Sequence, residues 1–416
     1  MLGVAACFIT ILDMNTTNVC IWLGVHQLEQ PIRQVRVIAS CVEDHAIMYF
    51  PILILTLTFG FPLMHKLKLY YINMAAAFAD TIYRFILYMF GVYDLPWKSF
   101  ISNVLVLAIM TVNGYTLAKY FYSMQRERVK FVLLLSLSSV VIIGIPVGTF
   151  YVLVPIYIKL DGSDQLLVAS ASPILASIAK VCSRISVQRL GKVVHPGRLY
   201  ILSAFVYIGS TILFRTLQAN IESTLFFSLL CLGHGNAKVI GVMFLLVRKR
   251  VLNFVFRCIL RRESYDTTHG RYKTPKVQRY CADLAVVEMM NEYISILYCN
   301  AMVQLYPLIF VKNVDRYEKI MWDFFLRCLI ASVSECIFNV VSIFLSSWHL
   351  NVPLVKLWRM KWKEYLLVTA SFLPVIIFFC THYLLDIVHA KVTAHDQHSN
   401  STQLLSCNAS SLVFFR

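Results

Sequence analysis

The stretch from Phe131 to Ile158, FVLLLSLSSVVIIGIPVGTFYVLVPIYI, runs for 28 residues without a charged side chain. A membrane β-strand needs about ten residues of alternating polarity, and this run does not alternate. An α-helix rising about 1.5 Å per residue crosses a hydrocarbon core of about 30 Å with roughly 20 apolar residues. The reading is therefore a transmembrane helix, and the pattern recurs on both sides of it. Ala46 to Met64, Ser99 to Ala118, Tyr293 to Val311 and Tyr365 to Leu385 are likewise uncharged, and with Phe131 to Val152 they form the clear spans. Five further segments carry blemishes. Leu69 to Phe90 contains Asp80 and Arg84, Thr224 to Val247 contains Lys238, and Cys328 to Trp348 contains Glu335; Gln165 to Ala179 and Leu199 to Phe214 are short.

Composition agrees. Of 416 residues, 58% are apolar and 14% charged, where a soluble domain has about 45 to 50% apolar residues and about 25% charged. An ordinary soluble enzyme and a disordered chain are both excluded. The expected fold is all-α: a polytopic transmembrane helical bundle of about 10 spans, within a range of 8 to 11.

Loop charges orient it. The net charge is +16, and a nucleic-acid binder would gather it on one soluble face interleaved with aromatic residues. Here it sits in short loops between apolar runs. With the amino terminus outside, 25 Lys and Arg fall in inside loops and ten outside, Arg215 among the latter. Positive loops stay cytoplasmic, so both termini are expected to be extracytoplasmic. The expected organisation is an extracytoplasmic segment 1–45, seven spans in 46–247, a basic cytoplasmic loop 248–292, three spans in 293–385 and an extracytoplasmic polar tail 386–416. Sequons begin at Asn15, Asn400 and Asn408, all in the tails, where glycosylation is possible. Trp97, Trp348, Trp358 and Trp362 lie at or near span ends, as interfacial indoles do. Met1 to Leu12 is apolar like a signal h-region, but it lacks a basic leader and runs into Asp13 and Asn15, which argues against cleavage. The 12 cysteines lack paired CxxC spacing, and most read as small apolar residues.

Ionisable groups inside spans point to function, because a lone charge there costs at least about 2.5 to 3.5 kcal/mol on insertion scales. Asp80 and Arg84 are spaced to pair on one helix, either to lower their own insertion cost or to line a polar pathway. Asp323 and Arg327 repeat the spacing at a span entrance, where a structural pair is the simpler reading. Lys238 and Glu335 have no opposite charge three or four residues away, so each needs another helix, water or the interface. A cross-bundle pair between them is conceivable. His234, one turn from Lys238, sits between Gly233 and Gly235, which permit a local break or close helix contact. Glu288 and Glu292 repel at that spacing unless solvated, and solvated positions below the membrane explain them most simply. Gly144, Pro146 and Gly148 predict a kink, for packing or for a binding site. Arg250, Arg257 and Arg261 recur with Asn253 as a basic stripe on an otherwise apolar helix, suited to anionic lipids of the cytoplasmic leaflet either as a surface helix or as an extension of the seventh span.

From Phe131 through a kinked span, an acidic outer loop at Asp161 to Asp164, a second span and the basic sequence Arg189-Leu190-Gly191-Lys192, the order resembles the first two spans and following loop of the major facilitator superfamily. That family has an acidic residue before this loop motif, where Val187 and Gln188 stand here, and it has twelve spans where seven follow Phe131. The resemblance does not place the chain in the family.

Phosphate-cradling, zinc-protease and nucleophile-elbow motifs are missing from the sequence, so catalysis, a cofactor and a metal are not expected. The expected setting is the plasma membrane or an endomembrane. The leading expectation is a transporter or permeation protein for an unidentified solute. The alternative is a receptor or signalling protein using the basic segment 248–279, and the third option is a structural membrane protein.

Overall fold

The computed structural model describes residues 1–17, 30–90, 98–148, 162–191, 193–258, 275–306, 317–350 and 354–398, with 153, 156, 157 and 160 between. These residues form helices and turns, and no strand is present among them. In chain order the helices are α1 (Leu2–Thr17), α2 (Gln30–Phe59), α3 (Phe61–Lys66), α4 (Leu69–Met89), α5 (Lys98–Phe121), α6 (Gln125–Gly148), α7 (Gly162–Leu190), α8 (Ile201–Ala219), α9 (Thr224–Cys258), α10 (Pro275–Asn300), α11 (Tyr317–Leu350) and α12 (Leu354–His398). Four of them are long and apolar enough to cross a membrane: α5, α7, α8 and α11.

The centre of the bundle is α8. Seventeen of its residues are buried, because α2, α6, α7, α9, α10 and α12 all pack against it. A helix apolar on every side is one covered on every side, which is why this short, weak-looking segment holds the middle. Outer helices show the opposite pattern. On α11, Trp322, Phe325, Leu329, Val333, Ile337, Val340, Phe344 and Trp348 form an exposed stripe, and Phe78, Ile82, Phe85 and Met89 do so on α4. Stripes this long are rare on monomeric soluble surfaces and fit lipid contact.

Where the chain departs from expectation, local packing gives the reason. α1 lies against α2, α10 and α12, with Ala6 and Thr10 fully buried and the Thr10 hydroxyl donating to Tyr298 Oη at 2.9 Å. The amino-terminal apolar run is thus part of the core. α6 continues through Gly144 and Pro146 to Gly148, and because proline has no N–H the helical hydrogen bond to the carbonyl four residues before Pro146 is missing. Pro51, Pro173 and Pro374 lie inside α2, α7 and α12. α9 runs without a break through the basic stripe to Cys258, so Arg250 and Arg257 sit on an extension of that helix; Arg261, Asn400 and Asn408 lie outside the described residues, and Asn15 falls within α1. α12 continues to His398, well into the expected polar tail. Cys7, Cys182, Cys231, Cys281, Cys299, Cys328 and Cys336 are free thiols.

One end of the bundle collects the basic turns. Lys66 lies 5.3 Å over the Tyr120 ring, and Lys361 Nζ donates to the Gly197 carbonyl at 3.1 Å. The turns after α5 and α7 and the start of α10 line a common cavity there. Near this end, on α10, Asp283 is fully buried and accepts the Tyr365 hydroxyl at 2.6 Å, while Arg279 Nε stays 3.9 Å away. Burial pushes its carboxyl up from an ordinary 3.8 to about 6, against the opposing pull of the Tyr365 hydrogen bond. Between those values the folded chain holds a proton that the unfolded chain has lost, so this group makes the fold less stable as pH rises from about 4 to about 6. Asp283→Asn is expected to flatten that slope and to raise stability at pH 7 by no more than about 3 kcal/mol, measured as unfolding midpoint against pH.

Candidate functional site

Arg215, Lys238, Glu292 and Glu335 meet where α8, α9, α10 and α11 pack together. Lys238 on α9 places its ammonium between two carboxylates, hydrogen-bonded to Glu292 on α10 and 3.0 Å from Glu335 Oε1 on α11. It also donates to Asn339 Oδ1 at 2.5 Å. Glu335 uses its second oxygen to accept Arg215 Nη2 of α8 at 2.5 Å. Arg215 donates in turn to Gln218 Oε1 at 2.9 Å. Four helices therefore contribute to one network, and Arg215, Glu292, Glu335 and Asn339 are each buried.

The network continues one turn along α10. Glu288 takes Lys180 of α7 at 2.5 Å, Lys180 sits 5.1 Å over the Tyr207 ring, and Arg184 donates to Tyr207 Oη at 2.7 Å. Two turns further, Ser203 shares a 2.7 Å hydrogen bond with Tyr280 and accepts one from Ser183 at 3.1 Å. From Glu292 to Tyr280 this polar track spans roughly 18 Å at the helical rise. Arg215, Tyr207 and Ser203 line it from α8, which period and hydropathy had marked only as a short apolar segment.

Several expected residues fall elsewhere or differ in role. Asp80, Arg84 and Ser102 close a triangle between α4 and α5: Arg84 Nε to Asp80 Oδ2 is 3.1 Å, Arg84 Nη2 to Ser102 Oγ 3.0 Å, and Ser102 Oγ to Asp80 Oδ1 2.6 Å. They satisfy one another beside the reciprocal Asn73–Asn113 amide pair at 3.1 Å, away from the track. Glu292 is 1% exposed, so the solvated position expected for it is corrected: two cationic neighbours, not water, relieve its repulsion with Glu288. Arg215, counted among the outside loop charges, is buried inside α8, because the helix continues four residues past it to Ala219.

His234 stacks on Phe214 with ring centroids 4.6 Å apart, and its Nε2 lies 3.7 Å from Glu292 without a hydrogen bond. His234, Glu292 and Glu335 bring ligand atoms within 4.8 Å of one another. The ammonium of Lys238 already sits against both carboxylates there, so a divalent cation would have to displace it and face Arg215 as well. The arrangement suits an ion-pair network better than a metal centre. Gly235 brings α9 against α11: a Cβ there would stand 1.9 Å from the Phe338 ring, whereas Gly233 has open space around it. Gly235→Ala is expected to cost about 1 to 3 kcal/mol by overpacking. Adding Phe338→Ala should recover part of the loss in the same unfolding measurement.

No family model, curated protein or solved structure matches the chain.

Proposed function

We propose that the protein is a multi-pass membrane protein that passes a small solute or ion through its helical bundle, with the α8–α10 polar track as the path and the Arg215–Glu335–Lys238–Glu292 network as its gate. The track itself is the observation that carries this reading. Buried ion pairs are poor stabilisers, since desolvation offsets most of their attraction and apolar residues of similar volume often do as well. A chain that keeps seven charged side chains along one internal seam has a use for them beyond packing. Glu335 shared between two cations on different helices is a contact that can exchange partners, which a gate requires.

In this reading the basic end faces the cytoplasm, about ten spans cross the bilayer, and both termini lie outside; glycans at Asn400 and Asn408 would support it. Uptake of a panel of labelled ions and small solutes by proteoliposomes is the test. The wild type should take up at least one faster than empty vesicles, and Glu335→Gln and Lys238→Met should remove most of that uptake while the helical circular dichroism is retained. Uptake of nothing, or uptake that both variants leave intact, would contradict the proposal.

A receptor reading is favoured by one observation, the unbroken run of α9 into its basic extension at Arg250 and Arg257. It would show as loss of a cytoplasmic partner when those arginines are neutralised, with the gate variants unaffected.

A further inference from the structure

A separate cavity of about 430 Å³ opens at the basic end, outside the polar track. Lys130 of α6, Arg189 of α7 and Lys276 of α10 line it, over a floor of buried Phe131, Leu190 and Leu199. None of the three cations makes an ion pair or hydrogen bond among the described residues. Three cationic side chains line this one space, and each would attract an anion bound in it. The guanidinium of Arg189 offers a planar fork suited to phosphate, and the two ammonium groups act as point charges.

Size and the remaining lining narrow the ligand. The volume lies within the roughly 300 to 1,000 Å³ of small-molecule sites, more than a bare phosphate fills. Glu127 is the one acidic lining side chain; it opposes a second negative group at its own edge but accepts hydrogen bonds from hydroxyls. We propose that this cavity binds a phosphorylated polyol, as found in a phosphoinositide headgroup or in a free sugar or inositol phosphate. The phosphate lies among Lys130, Arg189 and Lys276, and the hydroxyls face Glu127.

The test uses the full chain in nanodiscs of phosphatidylcholine alone. The probes are a short-chain phosphatidylinositol 4-phosphate and soluble inositol 4-phosphate, followed by titration calorimetry. Binding of the lipid alone identifies a membrane headgroup as the source, and binding of the soluble ester alone a free phosphate; binding of both supports the shared chemistry. In the triple variant Lys130→Gln, Arg189→Gln, Lys276→Gln, affinity should fall about 100-fold, at roughly fivefold per basic residue. Arg189→Gln alone should give the fivefold step. All three side chains are exposed, so the unliganded unfolding midpoint should stay at the wild-type value. Binding of neither probe by the wild type, or undiminished binding by both variants, would overturn the proposal.

Discussion

Replacing Glu335 by glutamine is expected to destabilise the folded protein by about 3 to 5 kcal/mol, seen as a lowered unfolding midpoint in nanodiscs. The side chain is 2% exposed and holds Arg215 at 2.5 Å and Lys238 at 3.0 Å. Glutamine keeps the shape and removes the charge, so two cations from α8 and α9 are left facing each other with Glu292 alone to balance them. The size of the loss comes from those orphaned charges more than from the lost attraction. It follows that replacing Arg215, Lys238, Glu292 and Glu335 together with apolar residues of similar volume should restore much of the midpoint while abolishing uptake. An unchanged midpoint in Glu335→Gln would mean that water reaches the network freely.

Arg327→Met is expected to cost a similar amount, about 3 to 5 kcal/mol, through a different mechanism. Arg327 is 2% exposed and reaches across from α11 to the turn that ends α8. It donates to the carbonyls of Ile221 at 2.5 Å and Glu222 at 2.6 Å, and to Asp323 at 2.7 Å. The carbonyl of Ala219 takes Gln304 Nε2 at 2.6 Å. A cation at a helix carboxyl end complements its dipole, and this one also satisfies carbonyls that have no intrahelical partner. Methionine fills the space and leaves them unpaired. Arg327→Lys should recover less than half, since an ammonium cannot serve separated carbonyls as a fork does. Equal midpoints for the Met and Lys variants would contradict the capping role.

These two sites also show what the sequence made legible. Asp80 with Arg84, and Asp323 with Arg327, could be paired from spacing alone, because residues four apart on a helix are neighbours. Spacing could not show that Ser102 closes the first pair or that Arg327 caps α8, since those partners lie on other helices. Lys238 and Glu335 declared a need for cross-helix partners by having none nearby in sequence. Their remaining partners were hidden for opposite reasons. Arg215 stood past the end of a hydropathy window, although Thr216 to Ala219 contain nothing that ends a helix. Glu292 stood before the start of another window, with Glu288 four residues away suggesting solvent. A helix-stop criterion at Asn220 would have recovered Arg215; no local signal recovers Glu292, whose environment is made by α9 and α11. The all-helical fold was legible because lipid imposes a length on apolar runs, and four helices, α5, α7, α8 and α11, have that length and composition. α8 looked short by that measure because its setting is other protein.

The most direct test of the central claim, that Arg215, Lys238, Glu292 and Glu335 form one inter-helix network, is a double-mutant cycle between Arg215→Met and Glu335→Gln on unfolding free energy. The account predicts that the double variant is less destabilised than the two single losses added together, with a coupling of about 1 to 3 kcal/mol. Losses that simply add would place the two residues apart and contradict it.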